Sequence, residues 1–270
     1  MNLEQIRSQW KKKEPNRQAA SDLWDSMAKQ YSEFEMPTFE NDPFLQLIDR
    51  LGVLNPNANV LDVGCGSGRY SLAMADRCNS VTGIDLSSKM LEIAEQEKIR
   101  QGKNNVRFIQ DDWHFANLEE HDMLHHYDLV FAHMTPAVQS AETFEKMNHA
   151  CKGTCVLVKP TRRTDPGSDA VKELAGIAQK KESAESDLMY TFGLLWLQGY
   201  QPYVEYRKDQ WDMKKTLDEA YGLYINRMKS YKEITAAEEE MLKNYINSLA
   251  VDGLVREVVD TTIVTMYWQV

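Results

Sequence analysis

A short apolar run, Asn59-Val60-Leu61-Asp62-Val63, leads into glycines at alternate positions, Gly64, Gly66 and Gly68, and a helical pattern from Arg69 to Cys78 follows at once. Glycines there let the backbone turn tightly and leave no side chain between it and a ligand. A strand that passes straight into a helix asks for a parallel neighbour, because the helix returns the chain along the sheet. The pattern then repeats. Ser80 to Asp85, Val106 to Gln110, Tyr127 to Ala132 and Thr154 to Lys159 read as strands. Helices fall over Ser88 to Arg100, capped by Ser87, and over Glu142 to Ala150. With Tyr203 to Asp209 and a final Val258 to Trp268, the order predicts an α/β fold with a doubly wound, mostly parallel seven-stranded sheet.

Helical patterns flank this core. Leu3, Ile6 and Trp10 recur at helical spacing, and Leu23, Trp24, Met27, Ala28 and Tyr31 line one side of a stretch from Ala19 to about Glu35. Pro15 separates the two, Pro37 ends the second, and Pro43 opens a third that runs to Leu51 before Gly52. Beyond Pro160, Asp169 to Lys181, Ser186 to Gln198, Thr216 to Lys229 and Thr235 to Ser248 read as helices.

Charge and composition narrow the class. Lys plus Arg number 31 and Asp plus Glu 41, a formal net charge of −10, which opposes binding to a phosphate backbone and argues against a nucleic-acid partner. The longest apolar stretch, Phe192 to Leu197, is far short of the roughly 18 residues of a membrane span. Lys11, Lys12 and Lys13 are not followed by the apolar run of a signal peptide, and Cys65, Cys78, Cys151 and Cys155 are too scattered for a disulfide framework. The expectation is a soluble, cytoplasmic protein, monomer or homodimer, with no membrane partner.

Two acidic residues give the glycine turn a chemical context. Asp85 ends the second strand, where a carboxylate can accept from both hydroxyls of a ribose lying across the crevice. Asp112 stands just past the third strand, before Trp113, placed to accept from an adenine amino group. Each alone reads equally well as a cap or turn residue; their joint position at the ends of successive strands favours a nucleoside site. The G-x-G-x-G spacing differs from the G-x-G-x-x-G of dinucleotide folds, which disfavours a nicotinamide-dependent oxidoreductase.

At these residues the sequence resembles the class I S-adenosylmethionine-dependent methyltransferases, small-molecule type. Val60 through Gly68 matches the family's first motif, Val81-Thr82-Gly83-Ile84-Asp85-Leu86-Ser87 the second, Val106 through Asp112 the third, and Tyr127 through Ala132 the fourth. The resemblance implies that Gly64, Cys65, Gly66 and Gly68 line the methionyl part of S-adenosylmethionine, that Asp62 orients the loop, and that Asp85, with Leu86 after it, holds the ribose. It implies that Asp112 and the Trp113 amide read the adenine, although Asp111 stands where a glycine is commoner and leaves open which of the two aspartates faces it. The W-x-x-x-A-x-x-Y stretch from Trp24 to Tyr31 implies that Tyr31 closes over the cofactor. On this reading 1–270 is a single methyltransferase domain. It has an N-terminal helical lid (1–51), a cofactor-binding core (52–165), a helical cap for the acceptor (166–250) and a last strand (251–270).

The acceptor is less legible. His133, at the end of the fourth strand, is the best candidate for a general base by position, weighed against a packing histidine. No N-P-P-Y-like tetrapeptide follows that strand, which disfavours a nucleobase or glutamine-amide target. His121, His125 and His126 read as a solvated loop rather than a metal site, Cys151 and Cys155 as not converging on a metal, and Lys159, Arg162 and Arg163 as a solvated basic spot. Tyr190, Phe192, Trp196, Tyr200, Tyr203, Trp211, Tyr221 and Tyr224 are candidates for an apolar acceptor pocket, with core packing as the alternative. The expected activity is methyl transfer to a small molecule. The alternatives are a non-catalytic S-adenosylmethionine-binding sensor or subunit, and an RNA or protein methyltransferase.

Overall fold

The computed structural model describes residues 1–11, 17–177 and 183–270. Seven strands form one sheet in the order β3-β2-β1-β4-β5-β7-β6. In chain order they are β1 (Asn59–Val63), β2 (Ser80–Asp85), β3 (Val106–Gln110), β4 (Tyr127–His133), β5 (Cys151–Thr161), β6 (Tyr203–Thr216) and β7 (Leu254–Gln269). The first five pair in parallel, while β7 runs antiparallel to both β5 and β6. The expected doubly wound, mostly parallel sheet is therefore present.

Several helices start at a side-chain cap. Asp42 accepts from Phe44 N and Leu45 N at 2.9 and 3.0 Å to start α3 (Pro43–Leu51), and Ser87 accepts from Met90 N at 3.1 Å to start α5 (Ser88–Gln101). The helix after the glycine turn, α4 (Arg69–Met74), is shorter than predicted and ends in a 3-10 turn over Ala75–Arg77. The remaining helices are α1 (Leu3–Gln9), α2 (Arg17–Ser32), α6 (Ala141–Ala150), α7 (Pro166–Leu174), α8 (Ser183–Leu197), α9 (Leu217–Lys229) and α10 (Ala236–Leu249). Pro15 and the predicted helical end at Lys181 lie outside the described residues.

Strand alternation divides the core into two layers. Leu61, Val63, Val130 and Ala132 face α1, α6 and α8, where they meet Ile6, Trp10, Phe144 and Leu194. Val60, Leu129 and Phe131 face α3 and α4, against Phe44, Leu45, Ile48 and Leu72. A third cluster joins α7, α9 and α10 through Val171, Tyr224, Met228 and Leu242, with Leu23 and Met27 of α2 packed on it. Of the first 51 residues, α1 and α3 belong to the two core layers and α2 packs on the third cluster. Residues 166–250 divide likewise, since α8 buries Leu194 and Leu195 in the first layer while α7, α9 and α10 build the cap.

Strands β5, β6 and β7 extend past their predicted ends. The last β5–β7 pair is Thr161 with Thr262, yet β6 and β7 continue from Asp209–Thr261 to Thr216–Leu254 as a two-stranded ribbon beyond the sheet. The cap packs on this ribbon.

Candidate active site

The turn after β1 is tied to the end of β2. Gly64 N and Cys65 N donate to the Ile84 carbonyl at 2.8 and 3.1 Å. Gly66 N donates to Asp85 Oδ2 at 2.8 Å, and Ser87 N donates to Asp85 Oδ1 at 2.9 Å. One carboxylate therefore joins the glycine loop to the start of α5. Asp62, buried, accepts from Ser71 Oγ of α4 at 2.6 Å and fixes the loop from the other end.

Two glycines in this loop have distinct reasons to be glycine. Gly64 has φ +70°, and a Cβ there would fall 2.0 Å from Thr135 Oγ1, so the segment after β4 closes directly on the loop. Gly66 has φ +53°, and nothing lies within 4 Å of where its Cβ would be. The backbone at Gly66 is open for a ligand to approach.

Electrostatically the site is acidic. Burial lifts the Asp62 carboxyl to about 7, and the nearby Asp85 charge adds to the rise. Burial also raises Asp85, against the lowering effect of its hydrogen bonds from Ser87 and Gly66. The Cys65 thiol is pushed well up by burial and by both carboxylates. Such a cluster of carboxylates, each disfavoured in its charged form, favours a cationic occupant.

Helix α2 crosses this region. Its Asp25 Oδ1 accepts from Ser87 Oγ at 2.5 Å, and Arg17 Nε stands 3.3 Å from Asp112 Oδ2 with its guanidinium 4.5 Å from the Phe115 ring centre. Tyr31, on the same helix, packs edge-on against Trp24 and Phe34 at 6.2 and 5.2 Å. Burial pushes its hydroxyl upward, while the charges of Arg163, Arg227 and Arg69 pull it down and Asp85 raises it. Tyr31 is thus within electrostatic reach of both the β2 end and an arginine group on the cap side.

The aspartates after β3 differ in their surroundings. Asp111 Oδ2 lies 3.1 Å from His121 Nε2, and Asp111 Oδ1 accepts from Asp112 N at 2.7 Å. Asp112 is buried, accepts from His114 N at 3.0 Å, and meets α2 through Arg17. Trp113 is buried too, its indole donating to the Thr143 carbonyl at 2.9 Å. Leu86 is half-buried between Asp85 and Ser87.

His133 does not join this group. By strand alternation it shares a face with Leu129 and Phe131, and its ring packs between Phe44 and Tyr70 at 4.6 and 4.2 Å. Burial, with help from Arg207 and Arg69, pushes its imidazole down to about 3. An imidazole so weakly basic is a poor proton acceptor near neutrality, which speaks against the expected general-base role. It lines instead a cleft of about 290 Å³ with Asp42, Tyr70, Met134, Arg207 and Trp211.

Other expectations about the acceptor region change as well. Phe192, Trp196 and Tyr203 lie on the outer surface, 39%, 62% and 65% exposed, and Tyr190 and Tyr200 pack on the first core layer. Trp211 lines the cleft, and Tyr224 is buried under the cap. Lys159 is no solvated loop residue: it is buried, donates to the Val138 carbonyl, and stands 3.3 Å from Asp187 Oδ2. Among the described residues no group of three or more His, Cys, Asp or Glu is arranged to hold a metal ion, and no helix is long and apolar enough to cross a membrane.

Comparison with known proteins decides the family. The sequence profile described as "Methyltransferase domain" matches residues 54–241, well over half of the chain. The chain is a class I S-adenosylmethionine-dependent methyltransferase. Among curated proteins, this methyltransferase is 36% identical over 118 residues to a ubiquinone biosynthesis O-methyltransferase of Nitrosospira multiformis, covering 42% of this chain and 44% of that one. It is 35% identical over 91 residues to a release factor glutamine methyltransferase of Fusobacterium nucleatum, covering 33% and 24%. These matches span less than half the length of either relative. The crystal structure of the YcgJ protein of Bacillus subtilis superposes with a TM-score of 0.50 at 17% identity, covering 83% of this chain and 96% of that one, a likeness of fold.

The residues present fit the family's methyl donor. The approach at Gly66 is open, Asp85 is positioned at the loop, and the carboxylates of Asp62 and Asp85 suit a ligand that carries positive charge on its sulfonium and amino groups.

Proposed function

We propose that this methyltransferase transfers a methyl group from S-adenosylmethionine to a small-molecule acceptor. The observation that carries the reading is the Gly66–Asp85–Ser87 bridge lying beneath α2, with the β6–β7 ribbon and its cap beyond. A crevice covered in this way suits a small acceptor better than a duplex or a folded protein, and the net charge of −10 further opposes RNA. The ubiquinone biosynthesis relative is named for small-molecule methylation, and the release factor relative for a protein target; the covering elements favour the former.

In this reading Asp85 accepts from the ribose hydroxyls, Gly64, Cys65, Gly66 and Gly68 flank the methionyl part, and Asp62 holds the loop through Ser71. Both aspartates already carry protein partners, Asp111 through His121 and the Asp112 amide and Asp112 through His114 N and Arg17. Asp112, which lies against α2, is taken for the adenine amino group. Tyr31 and α2 close over the crevice. The donor supplies an activated methyl when bound. The protein's work is to align the acceptor and exclude water, which can be worth several orders of magnitude in rate.

The test is calorimetric titration with S-adenosylmethionine, S-adenosylhomocysteine and, as control, NAD, followed by an assay of S-adenosylhomocysteine release across a metabolite set. Micromolar binding of the first two and release with a small molecule support the proposal. Binding without release by any small acceptor would favour a non-catalytic sensor or subunit.

A further inference from the structure

Where β6 and β7 rise beyond β5, one face of the ribbon carries Trp211, Met213 and Lys215, alternating with exposed Asp212 and Lys214, and Glu257 pairs across from Met213. A polar cluster assembles against this face. Arg163 Nη2 stands 2.9 Å from Asp165 Oδ2, and Arg227 Nη1 stands 3.3 Å from the same oxygen while donating to Ser168 Oγ at 3.1 Å. Glu257 accepts from Tyr224 OH and from Gly167 N, each at 2.7 Å.

Lys215 is the odd member. It is only 2% exposed, yet its ammonium has no hydrogen-bond partner. It lies 3.8 Å from Glu257 Oε2, beyond hydrogen-bond reach, and 5.7 Å from the centre of the Tyr224 ring. A network that served only to fasten the cap would be expected to satisfy its own donors, since buried polar groups nearly always find partners. Here one charged donor is left over. Charge points the same way. Three cationic side chains, Arg163, Arg227 and Lys215, face two carboxylates, Asp165 and Glu257, and burial shifts Glu257 and Lys215 alike toward their neutral forms. The cluster is cationic within a chain of net charge −10.

Its position links it to methyl transfer. Arg163 lies 5.2 Å from the Trp211 ring, and Trp211 lines the cleft next to Met134 and Tyr70. Tyr31 on α2 feels the charges of Arg163, Arg227, Arg69 and Asp85. The arginine side chains, both paired with Asp165, keep partial exposure, 30% and 21%.

We propose that Arg163, Arg227 and Lys215 form an anion subsite for the methyl acceptor, which carries an acidic group, carboxylate or phosphate, and lays its body along Trp211. This rests on the methyl-transfer reading above and names its substrate class. The arginine forks meet the anionic oxygens directly, as guanidinium geometry favours. Lys215 supplies the donor that the protein itself does not use.

The probes are benzoate, phenyl phosphate and neutral benzamide, each titrated calorimetrically into the protein with and without saturating S-adenosylhomocysteine. At least one anion is expected to bind tenfold or more tightly than benzamide, and the arm that wins identifies carboxylate or phosphate. Arg227→Gln and Lys215→Met should each erase that preference, while Arg227→Lys restores part of it; thermal melting reports whether each variant folds. Anions that bind no better than benzamide, or a preference that survives in both folded variants, would overturn the subsite. Failure of S-adenosylhomocysteine to bind the wild type would count against the methyl-transfer reading, whereas normal binding of it with no anion preference would sink the subsite alone.

Discussion

Asp85 Oδ2 accepts the Gly66 amide at 2.8 Å while the other oxygen of the same carboxylate accepts Ser87 N at 2.9 Å. The side chain proposed for the ribose therefore also sets the shape of the loop that flanks the methionyl part. Asp85→Ala should weaken S-adenosylhomocysteine binding by about 1–3 kcal/mol, roughly 5- to 150-fold, through lost charge-assisted bonds. Calorimetry measures this, and an affinity within twofold of wild type would remove Asp85 from the site.

Gly64 and Gly66 both have positive φ, but only Gly64 is crowded. Gly64→Ala drives a methyl into Thr135 and should lower stability by several kcal/mol, visible as a lower denaturation midpoint. Gly66→Ala carries a backbone strain of about 1 kcal/mol with no clash, so it should fold. It should nevertheless bind S-adenosylhomocysteine at least tenfold more weakly, since its methyl occupies the ligand's approach. Equal affinities in wild type and Gly66→Ala would show that the ligand does not pass there.

The contrast between Asp85 and His133 shows what a sequence can reveal about such a site. Asp85 ends a strand beside a glycine turn, and both are local features whose positions follow from the parallel sheet. Asp62, with Ser71 nine residues on, is equally local. His133 also ends a strand, but its role depends on which face of β4 it occupies. The alternation with Leu129 and Phe131 carried that signal, since those residues face α3. The contacts of Asp25 with Ser87, Arg17 with Asp112 and Thr135 with Gly64 join distant segments and leave no periodic trace. The β6–β7 ribbon escaped for another reason. Gln210 to Thr216 is mostly polar, and its inward positions are the half-buried Trp211 and Met213 and the buried Lys215, a set poor in the β-branched residues that mark strands. Lys215 was hidden with it, whereas Arg163 stood out in the sequence only as part of a basic spot.

Arg17 stands 3.3 Å from Asp112, the carboxylate proposed to meet the adenine amino group. The two interactions compete for one acceptor. Arg17 is half exposed, so the ion pair is worth no more than about 1 kcal/mol. Arg17→Ala should therefore raise S-adenosylhomocysteine affinity by up to about fivefold, and the gain should shrink in high salt as screening weakens the wild-type pair. A loss of affinity in Arg17→Ala would instead make Arg17 part of the nucleoside site.

His133 gives a pH test with a definite sign. Its ordinary value is 6.5, and burial pushes it down to about 3 in the folded chain. The unfolded chain takes up a proton that the folded chain refuses, so its contribution to stability is full above 6.5 and is lost as pH falls from 6.5 toward 3. At pH 5 the loss attributable to this group is about 2 kcal/mol. Denaturant unfolding of wild type and His133→Gln at pH 7.5 and 5.0 should show the variant gaining on wild type by about that amount at the lower pH. Turnover gives an independent readout: with His133 neutral throughout, the ratio of wild-type to variant kcat should stay flat between pH 5 and 8. A ratio that collapses below pH 6.5 would restore His133 as a titrating base.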